Sequence, residues 1–476
     1  MRFSAFLCFL LLVSFVHAET PNVILISIDA VRADQLGVYG YGKNTTPNID
    51  AFARDAVLFR NGFAASTWTP TSHASMVTGV NPLTHGIITI NNSDIVTCML
   101  RDSQATLAGI LNGQGYSTAA FVNWYYVSIG ADKDFGAFDI VFNDEVDGPI
   151  SIYERLEHVD KQHDGFEVNR RGLEWLEANG DRKFFLMLHY FDAHDPYDHP
   201  EYLGRFFNDS EYAGMFDGVD EIDPRISGPK IRNDEDLEAL VGYYDAGIYY
   251  QDLILGELFA ELKEMGLYEN TLIVLVSDHG EALSEHGNFQ HHNEPYEEEI
   301  RVPFIIRYPE LGVVEIREPV THVDIAPTVL EVLGVKSSTE FDGVSLVPLI
   351  ERDEGAIGKF MERGIQLAGG GGCECLVTQA VRTVNTKVMY WLNVTGRDIT
   401  GSQVFAVYEL ASDPGEKRNL IDEIEHVESI KSTCEHWDCK MSDLELAVFG
   451  LSLLILVGII SYTVAEFVVK SVRKSR

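Results

Sequence analysis

Two apolar runs constrain this chain more than anything else in it: Asn22-Val-Ile-Leu-Ile-Ser-Ile-Asp29 and Leu272-Ile-Val-Leu-Val-Ser-Asp278-His279-Gly-Glu281. Each is β-branched, of strand length, and ends abruptly in side chains that bind cations. A run apolar on both faces predicts a central parallel strand covered by helices on either side. In open α/β sheets, ligands collect just beyond the carboxyl ends of such strands. Two strands that end this way can bring Asp29, Asp278 and His279 around one metal ion. A single Asp at a strand end also serves as a helix cap or turn former, so the pair carries the reading.

Further strand-like runs at 118–122, 184–189 and 303–307 alternate with helical patterns, the longest from Asp234 to Met265. That alternation predicts an α/β fold with a doubly wound, mostly parallel sheet. Beyond it, Leu376–Thr383 and Lys387–Leu392 predict a smaller C-terminal α+β subdomain. The 476 residues suffice for one large domain with a subdomain, or for two domains.

A third segment, Ser66-Thr-Trp-Thr69-Pro-Thr-Ser72-His73-Ala-Ser-Met-Val-Thr78-Gly79, makes a resemblance specific. The chain resembles the sulfatase family of the alkaline phosphatase superfamily, whose core motif runs Cys or Ser, any residue, Pro, Ser, Arg, and ends in Thr-Gly. Alignment on Thr78-Gly79 puts Thr69 at the nucleophile position, Thr71 on the motif's Pro, Ser72 on its Ser and His73 on its Arg. Ser277-Asp-His-Gly-Glu281, Glu285-His-Gly287 and Tyr296-Glu-Glu-Glu-Ile-Arg-Val-Pro303 look like the family's metal-and-substrate stretch. His322-Val-Asp-Ile-Ala-Pro327, Asp342-Gly-Val-Ser-Leu346 and Tyr408-Glu-Leu410 with Asp413-Pro414 are similar to the segments that follow. Within the long helical pattern, Tyr244-Asp-Ala-Gly-Ile248 and Asp252 also resemble the family. The resemblance implies an alkaline phosphatase-like sheet, an ester hydrolase, and one divalent metal held by Asp29, Thr69, Asp278 and His279.

Departures from the motif bear on the chemistry. Sulfatases convert the motif's Cys or Ser to formylglycine, and Thr cannot be converted that way. Thr69 would therefore act as an ordinary alkoxide, as in relatives that cleave phosphate and phosphonate esters through a phosphothreonine. Locally, Thr69-Pro70 is also a good helix N-cap followed by Pro at the first helical position. Ala30 replaces a second Asp ligand and His279 replaces the usual Asn. Two carboxylates and an imidazole favour Mn²⁺ or Zn²⁺ over Ca²⁺, with Mg²⁺ also admissible. The resemblance further gives His73 a role in orienting Thr69 or contacting the ester. It gives His194, in His189-Tyr-Phe-Asp-Ala-His194-Asp-Pro196-Tyr197, and His291 roles in contacting substrate or protonating the leaving oxygen. His189 reads as a core residue.

The balance of 36 Lys+Arg against 73 Asp+Glu, a formal charge of −37, argues against nucleic-acid partners, whose phosphates it would repel. Residues 1–18 read as a secretory signal peptide, with Arg2, the apolar Phe6–Val16 and a Val16-His-Ala18 cleavage site. Residues 421–445 read as a polar stalk, 446–466 as a transmembrane helix and 467–476 as a basic cytoplasmic tail. The expected placement is thus a single-pass cell-membrane protein with an extracellular catalytic body, 19–340, completed by a subdomain, 341–420. Of six Cys, Cys8 leaves with the signal; Cys98, Cys373, Cys375, Cys434 and Cys439 remain for disulfides of undetermined pairing. The function expected first is phosphate or sulfate ester hydrolysis through Thr69 with the phosphoester favoured, on a small-molecule or glycan substrate. The alternatives are a sulfuric ester hydrolase proper, a phospho-group transferase to lipid or glycan, and a non-catalytic surface binding protein.

Overall fold

Strand β1 (Asn22–Ile28) is buried along its whole length, as its apolar Val23–Ile26 run requires. The structure is a computed structural model. It describes residues 20–87, 103–124, 134–141, 164–208, 212–223, 233–291, 294–369, 376–395 and 398–421, with a few isolated positions between them. Around β1, strands β2 (Val57–Phe59), β3 (Ser117–Val122), β4 (Ala137–Ile140), β5 (Phe184–Tyr190), β6 (Thr271–Ser277), β7 (Phe304–Arg307) and β8 (Val314–Ile316) form an eight-stranded sheet. Its order is β8-β2-β7-β6-β1-β5-β3-β4. Only β7 runs against the others, pairing antiparallel with β6 and β2. The expected doubly wound, mostly parallel sheet is therefore present, with β1 and β6 adjacent at its centre.

Period-two alternation divides the strand side chains between two cores. Ile24, Ile26, Leu186, Leu188, Ile273 and Leu275 face one layer, which contains helices α1 (Pro47–Ala53), α4 (Gly165–Asn179) and α5 (Asp234–Glu264). Val23, Leu25, Phe185, Met187, Leu272 and Val274 face the other, which contains α2 (Thr69–Thr78), α3 (Leu107–Gly113) and α6 (Ile325–Val332). Burying about 1.5–3 kcal/mol of transfer free energy per large side chain on both faces makes the sheet a rigid platform. Helix α5 begins where Asn233 accepts a hydrogen bond from Asp236 N and ends one residue short of the expected Met265. Asp252 on α5 accepts from the backbone N–H groups of Asn48 and Ile49, so it holds the first turn of α1.

The C-terminal region forms a separate antiparallel sheet of β9 (Ile365–Ala368), β10 (Leu376–Arg382), β11 (Thr386–Thr395) and β12 (Asp398–Glu409). Its apolar face packs on Phe63 and Ile300 from the larger part. Backbone hydrogen bonds Ala368 N to Ala65 O, 2.8 Å, and Thr67 N to Ala368 O, 3.0 Å, tie it to the segment leading into α2. Lys387 is fully buried and its ammonium meets Glu297 at 2.9 Å, Glu416 at 2.7 Å and Pro295 O at 2.9 Å.

The expected single-pass placement at the cell membrane is corrected. Among the described residues no helix is long and apolar enough to cross a membrane. The longest, α5, carries nine Asp and Glu residues rather than a uniform apolar surface, as a helix packed on a sheet does. The segments expected as signal peptide, transmembrane helix and basic tail, the expected stalk beyond Ile421, and all six Cys lie outside the described residues.

Candidate active site

The site lies at the carboxyl ends of β1 and β6, where β1 is tied to β5 on one side and to β6 on the other as it leaves the sheet. Asp29 N donates to Tyr190 O at 2.8 Å, and Asp278 N donates to Ile28 O at 3.2 Å. The chain then turns at Ala30, whose φ of 57° lies in the left-handed region. That turn is held from two directions. Asp278 Oδ1 accepts from Ala30 N at 3.2 Å, and the Tyr244 hydroxyl on α5 donates to Ala30 O at 2.6 Å while accepting from Arg32 N at 3.0 Å. Ser277 Oγ bridges the two strand ends, donating to His279 O at 2.6 Å and accepting from Val31 N at 2.9 Å. Gly280 follows because Glu298 O lies against its Cα, where a Cβ would collide.

Helix α2 delivers Thr69. All ten of its residues are buried, and it starts at Thr69 itself, with Trp68 as N-cap and Pro70 in the first turn. The Thr69 hydroxyl is thus not spent on capping; it lies 3.2 Å from His279 Nε2. His279 Nδ1 donates to Gly280 O at 2.9 Å, which leaves the Nε2 lone pair facing the hydroxyl. His73, one turn along α2, donates from Nδ1 to Thr69 O at 2.8 Å, and its Nε2 meets Ser27 Oγ at 2.9 Å. Burial, with His189 beside it, pushes the His73 pKa down to about 3, so the ring is neutral.

Asp29 and Asp278 converge on this point. Asp29 Oδ1 lies 3.4 Å and Asp278 Oδ2 3.6 Å from His279 Nε2. Burial pushes the Asp29 carboxyl well above its ordinary value, and the nearby Asp278 adds to the rise. Burial opposes ionisation of Asp278 too, but the His279 ring beside it and the Ala30 N–H outweigh it and hold its pKa down. Both Asp29 oxygens and Asp278 Oδ2 are buried without a hydrogen-bond partner. Unpaired buried carboxylate oxygens are costly, and a cation between them removes the cost. The donor atoms of Asp29, Asp278 and His279 fall within 4.8 Å of one another, so these residues fit a divalent metal. His189, from β5, also reaches the cluster, with Nε2 3.2 Å from Asp29 Oδ2.

His194 and His291 form the outer wall. His194 donates from Nδ1 to Asp195 O at 2.6 Å, and its Nε2 faces His291 Nε2 at 3.3 Å. His291 Nδ1 meets Glu281 Oε1 at 3.2 Å, and its ring stands 4.1 Å from that of His279, centroid to centroid. Burial and the nearby Asp195 and Glu299 push the Glu281 carboxyl well above its usual range. All seven residues expected at the site, Asp29, Thr69, His73, His194, Asp278, His279 and His291, are brought together here.

Sequence reasoning took His189 for a core residue. Its signal was an imidazole ending an apolar strand, but only strand order shows that β5 lies beside β1, with Ser27 opposite His189.

A model of the sulfatase family matches residues 21–335, and the chain belongs to that family. It is similar to an arylsulfatase of Clostridium perfringens, 25% identical over 464 residues, covering 86% of this chain and 92% of the relative. An ulvan-active sulfatase of Formosa agariphila is 25% identical over 435 residues, covering 84% and 77% respectively. Among solved structures, a candidate sulfatase of Bacteroides thetaiotaomicron superposes with a TM-score of 0.67 at 17% identity, covering 87% of this chain and 90% of that one. The chain is accordingly a sulfatase-family hydrolase acting on ester bonds. The relatives favour sulfuric esters over the phosphoesters expected first.

Proposed function

We propose that this chain hydrolyses a sulfuric ester carried by a glycan or a small molecule, using Thr69 as nucleophile beside a divalent metal. The observation that carries the reading is the convergence of the unpartnered Asp29 and Asp278 oxygens with His279 on the Thr69 hydroxyl. The relatives' names support the sulfur ester, and the ulvan-active relative supports a glycan. Asp29, Asp278, His279 and the Thr69 hydroxyl would hold the metal, which supplies Lewis-acid charge stabilisation and lowers the pKa of an attacking hydroxyl. Residues 19–340 and 341–420 act as one catalytic unit in this reading.

Thr69 Oγ gives up its proton to solvent water and bonds to the ester sulfur as the bond from sulfur to the alcohol oxygen breaks. The His194–His291 pair protonates the departing oxygen. The start of α2 places its backbone N–H groups and partial positive charge beside the anionic ester. His73 holds the Thr69 carbonyl, and with it the hydroxyl's position. Water then bonds to the sulfur of the Thr69 ester, sulfate leaves, and Thr69 Oγ regains a proton. A second reading, hydrolysis of phosphate or phosphonate monoesters, is favoured by one observation: the side chain facing His279 is Thr, which has no route to formylglycine. Paired aryl sulfate, aryl phosphate and aryl phosphonate substrates, assayed on the metal-loaded protein, decide between them. Preference for the sulfate is expected; a higher kcat/KM for either phosphorus ester selects the second reading.

A further inference from the structure

We propose that Glu281 is a positioning residue for protonation of the leaving group: its buried carboxyl holds Nδ1 of His291, so that Nε2 is the nitrogen that gives the proton up. The role depends on the one given above to the His194–His291 pair as proton donor, and adds the group that aims it.

The local backbone brings the two side chains together. Ala282–Leu283 pairs antiparallel with Phe289–Gln290, and the register sets Ala282 opposite Gln290. Glu281 and His291 are the residues just outside that pair, where cross-strand side chains meet. Both are buried, and Glu281 Oε1 lies 3.2 Å from His291 Nδ1. The Glu281 peptides are fixed from two sides. Its N–H donates to Glu298 O at 3.0 Å, and its carbonyl accepts from Arg32 Nη1 at 3.2 Å. Gln290, next to His291, donates to the Asp195 carboxylate and so fastens the other strand to the loop that carries His194.

The partners assign the hydrogens. His194 Nδ1 lies 2.6 Å from Asp195 O, a carbonyl that can only accept, so that nitrogen carries a hydrogen. A neutral His194 then has its lone pair at Nε2, and the 3.3 Å contact with His291 Nε2 puts the shared hydrogen on His291. Lone pairs on both Glu281 Oε1 and His291 Nδ1 would repel at 3.2 Å, so a second hydrogen lies between those atoms. When His291 Nε2 protonates the departing oxygen, its N–H bond breaks and the alcohol O–H forms. The second hydrogen stays at Nδ1 and is donated to a Glu281 carboxylate, which leaves the ring neutral and still aimed. The water that cleaves the Thr69 ester gives one proton to Thr69 Oγ and returns the other to His291 Nε2.

A side chain that only filled space here need not be acidic. Glu281 is buried near Asp195 and Glu299, and among the described residues no Lys or Arg forms an ion pair with it; His291 does. A buried carboxyl among like charges is costly, and the imidazole is the group that offsets it.

Steady-state kinetics on the metal-loaded protein with a leaving-group series test the role. In Glu281→Ala, kcat for esters of aliphatic alcohols should fall on the order of 10²-fold, with KM and bound metal unchanged. Aryl esters with acidic leaving groups should be affected far less. Glu281→Gln keeps a hydrogen-bonding group at Nδ1 and should recover part of the loss; it carries the same comparison if Glu281→Ala does not fold. Either variant combined with His291→Asn should be no slower than His291→Asn alone, because both act through one nitrogen. Losses that add in the double variant, that are equal across the series, or that come with lost metal overturn the proposal. If His291→Asn shows the leaving-group dependence and the Glu281 variants do not, the Glu281 role alone falls. If His291→Asn shows none, the proton-donor role of the pair falls first.

Discussion

Thr69 Oγ1 and His279 Nε2 face each other at 3.2 Å across 210 residues of sequence. The contact joins the first turn of a buried helix to the end of a central strand, and both partners are fixed from behind. His279 is held by its bond to Gly280 O, and Thr69 by its place in a helix with no exposed residue. In the function proposed above, such pre-set geometry would keep the Thr69 hydroxyl aligned with the metal held by His279 without reorganisation during turnover.

Thr69→Ala should lower turnover by on the order of 10⁴-fold or more, the scale seen when a nucleophile is removed. Thr69→Ser should keep a measurable fraction, since the hydroxyl remains. Quenched reactions of the wild-type protein should show a transient sulfo- or phosphothreonine by mass spectrometry. Near wild-type kcat in Thr69→Ala would place the nucleophile elsewhere.

Asp29→Asn and Asp278→Asn should each reduce bound metal and activity together, because each removes one of two carboxylates from a buried cluster. Chelation and dialysis should abolish activity, and re-addition of Zn²⁺ or Mn²⁺ should restore it. Full activity in the metal-free protein, verified by elemental analysis, is the contrary result.

If His194 and His291 protonate the leaving oxygen, His291→Asn should slow esters of aliphatic alcohols by about 10²–10⁴-fold. Aryl esters with acidic leaving groups should be affected far less. Equal losses across a leaving-group series would instead indicate a binding role for the pair.

Tyr244→Phe removes the hydroxyl that holds both sides of the Ala30 turn. It leaves a buried donor and acceptor without their partner, at a cost of about 1–3 kcal/mol in denaturant unfolding. Metal affinity should fall too, because Asp29 precedes that turn. Unchanged stability and metal binding would show that the turn holds itself.

Lys387→Met should destabilise the protein by about 3–5 kcal/mol, because it strands Glu416 in the interior without its cation and leaves Glu297 with Arg382 alone. Burial works to raise the Glu297 pKa, but Lys387 and Arg382 together pull it down to about 2. A depressed carboxylate contributes stability that is complete above its unfolded value near 4.3 and is lost as pH falls towards the folded value. Melting temperatures measured from pH 5 to pH 2 should therefore fall more steeply in wild type than in Lys387→Met. Parallel curves would remove Glu297 from the account.

The central sheet was legible in the sequence because β1 and β6 are buried on both faces, and apolar runs with polar residues only near their ends satisfy that environment. The abrupt ends of those runs at Asp29 and at Asp278-His279 were legible too, since carboxylates and an imidazole at the rim of an apolar strand need a partner. The register of the Thr69 segment with Thr78-Gly79 came from motif similarity; its local pattern alone fitted a helix cap equally well. The tertiary structure decided that point by starting α2 at Thr69 and turning the hydroxyl towards His279. It also decided that Tyr244 clamps the Ala30 turn and that His189 reaches Asp29. Neither could be read along the chain, because strand order places β5 beside β1 and helix packing sets Tyr244 over it. Local pattern records which faces are apolar; only the assembled layers determine which buried polar groups meet.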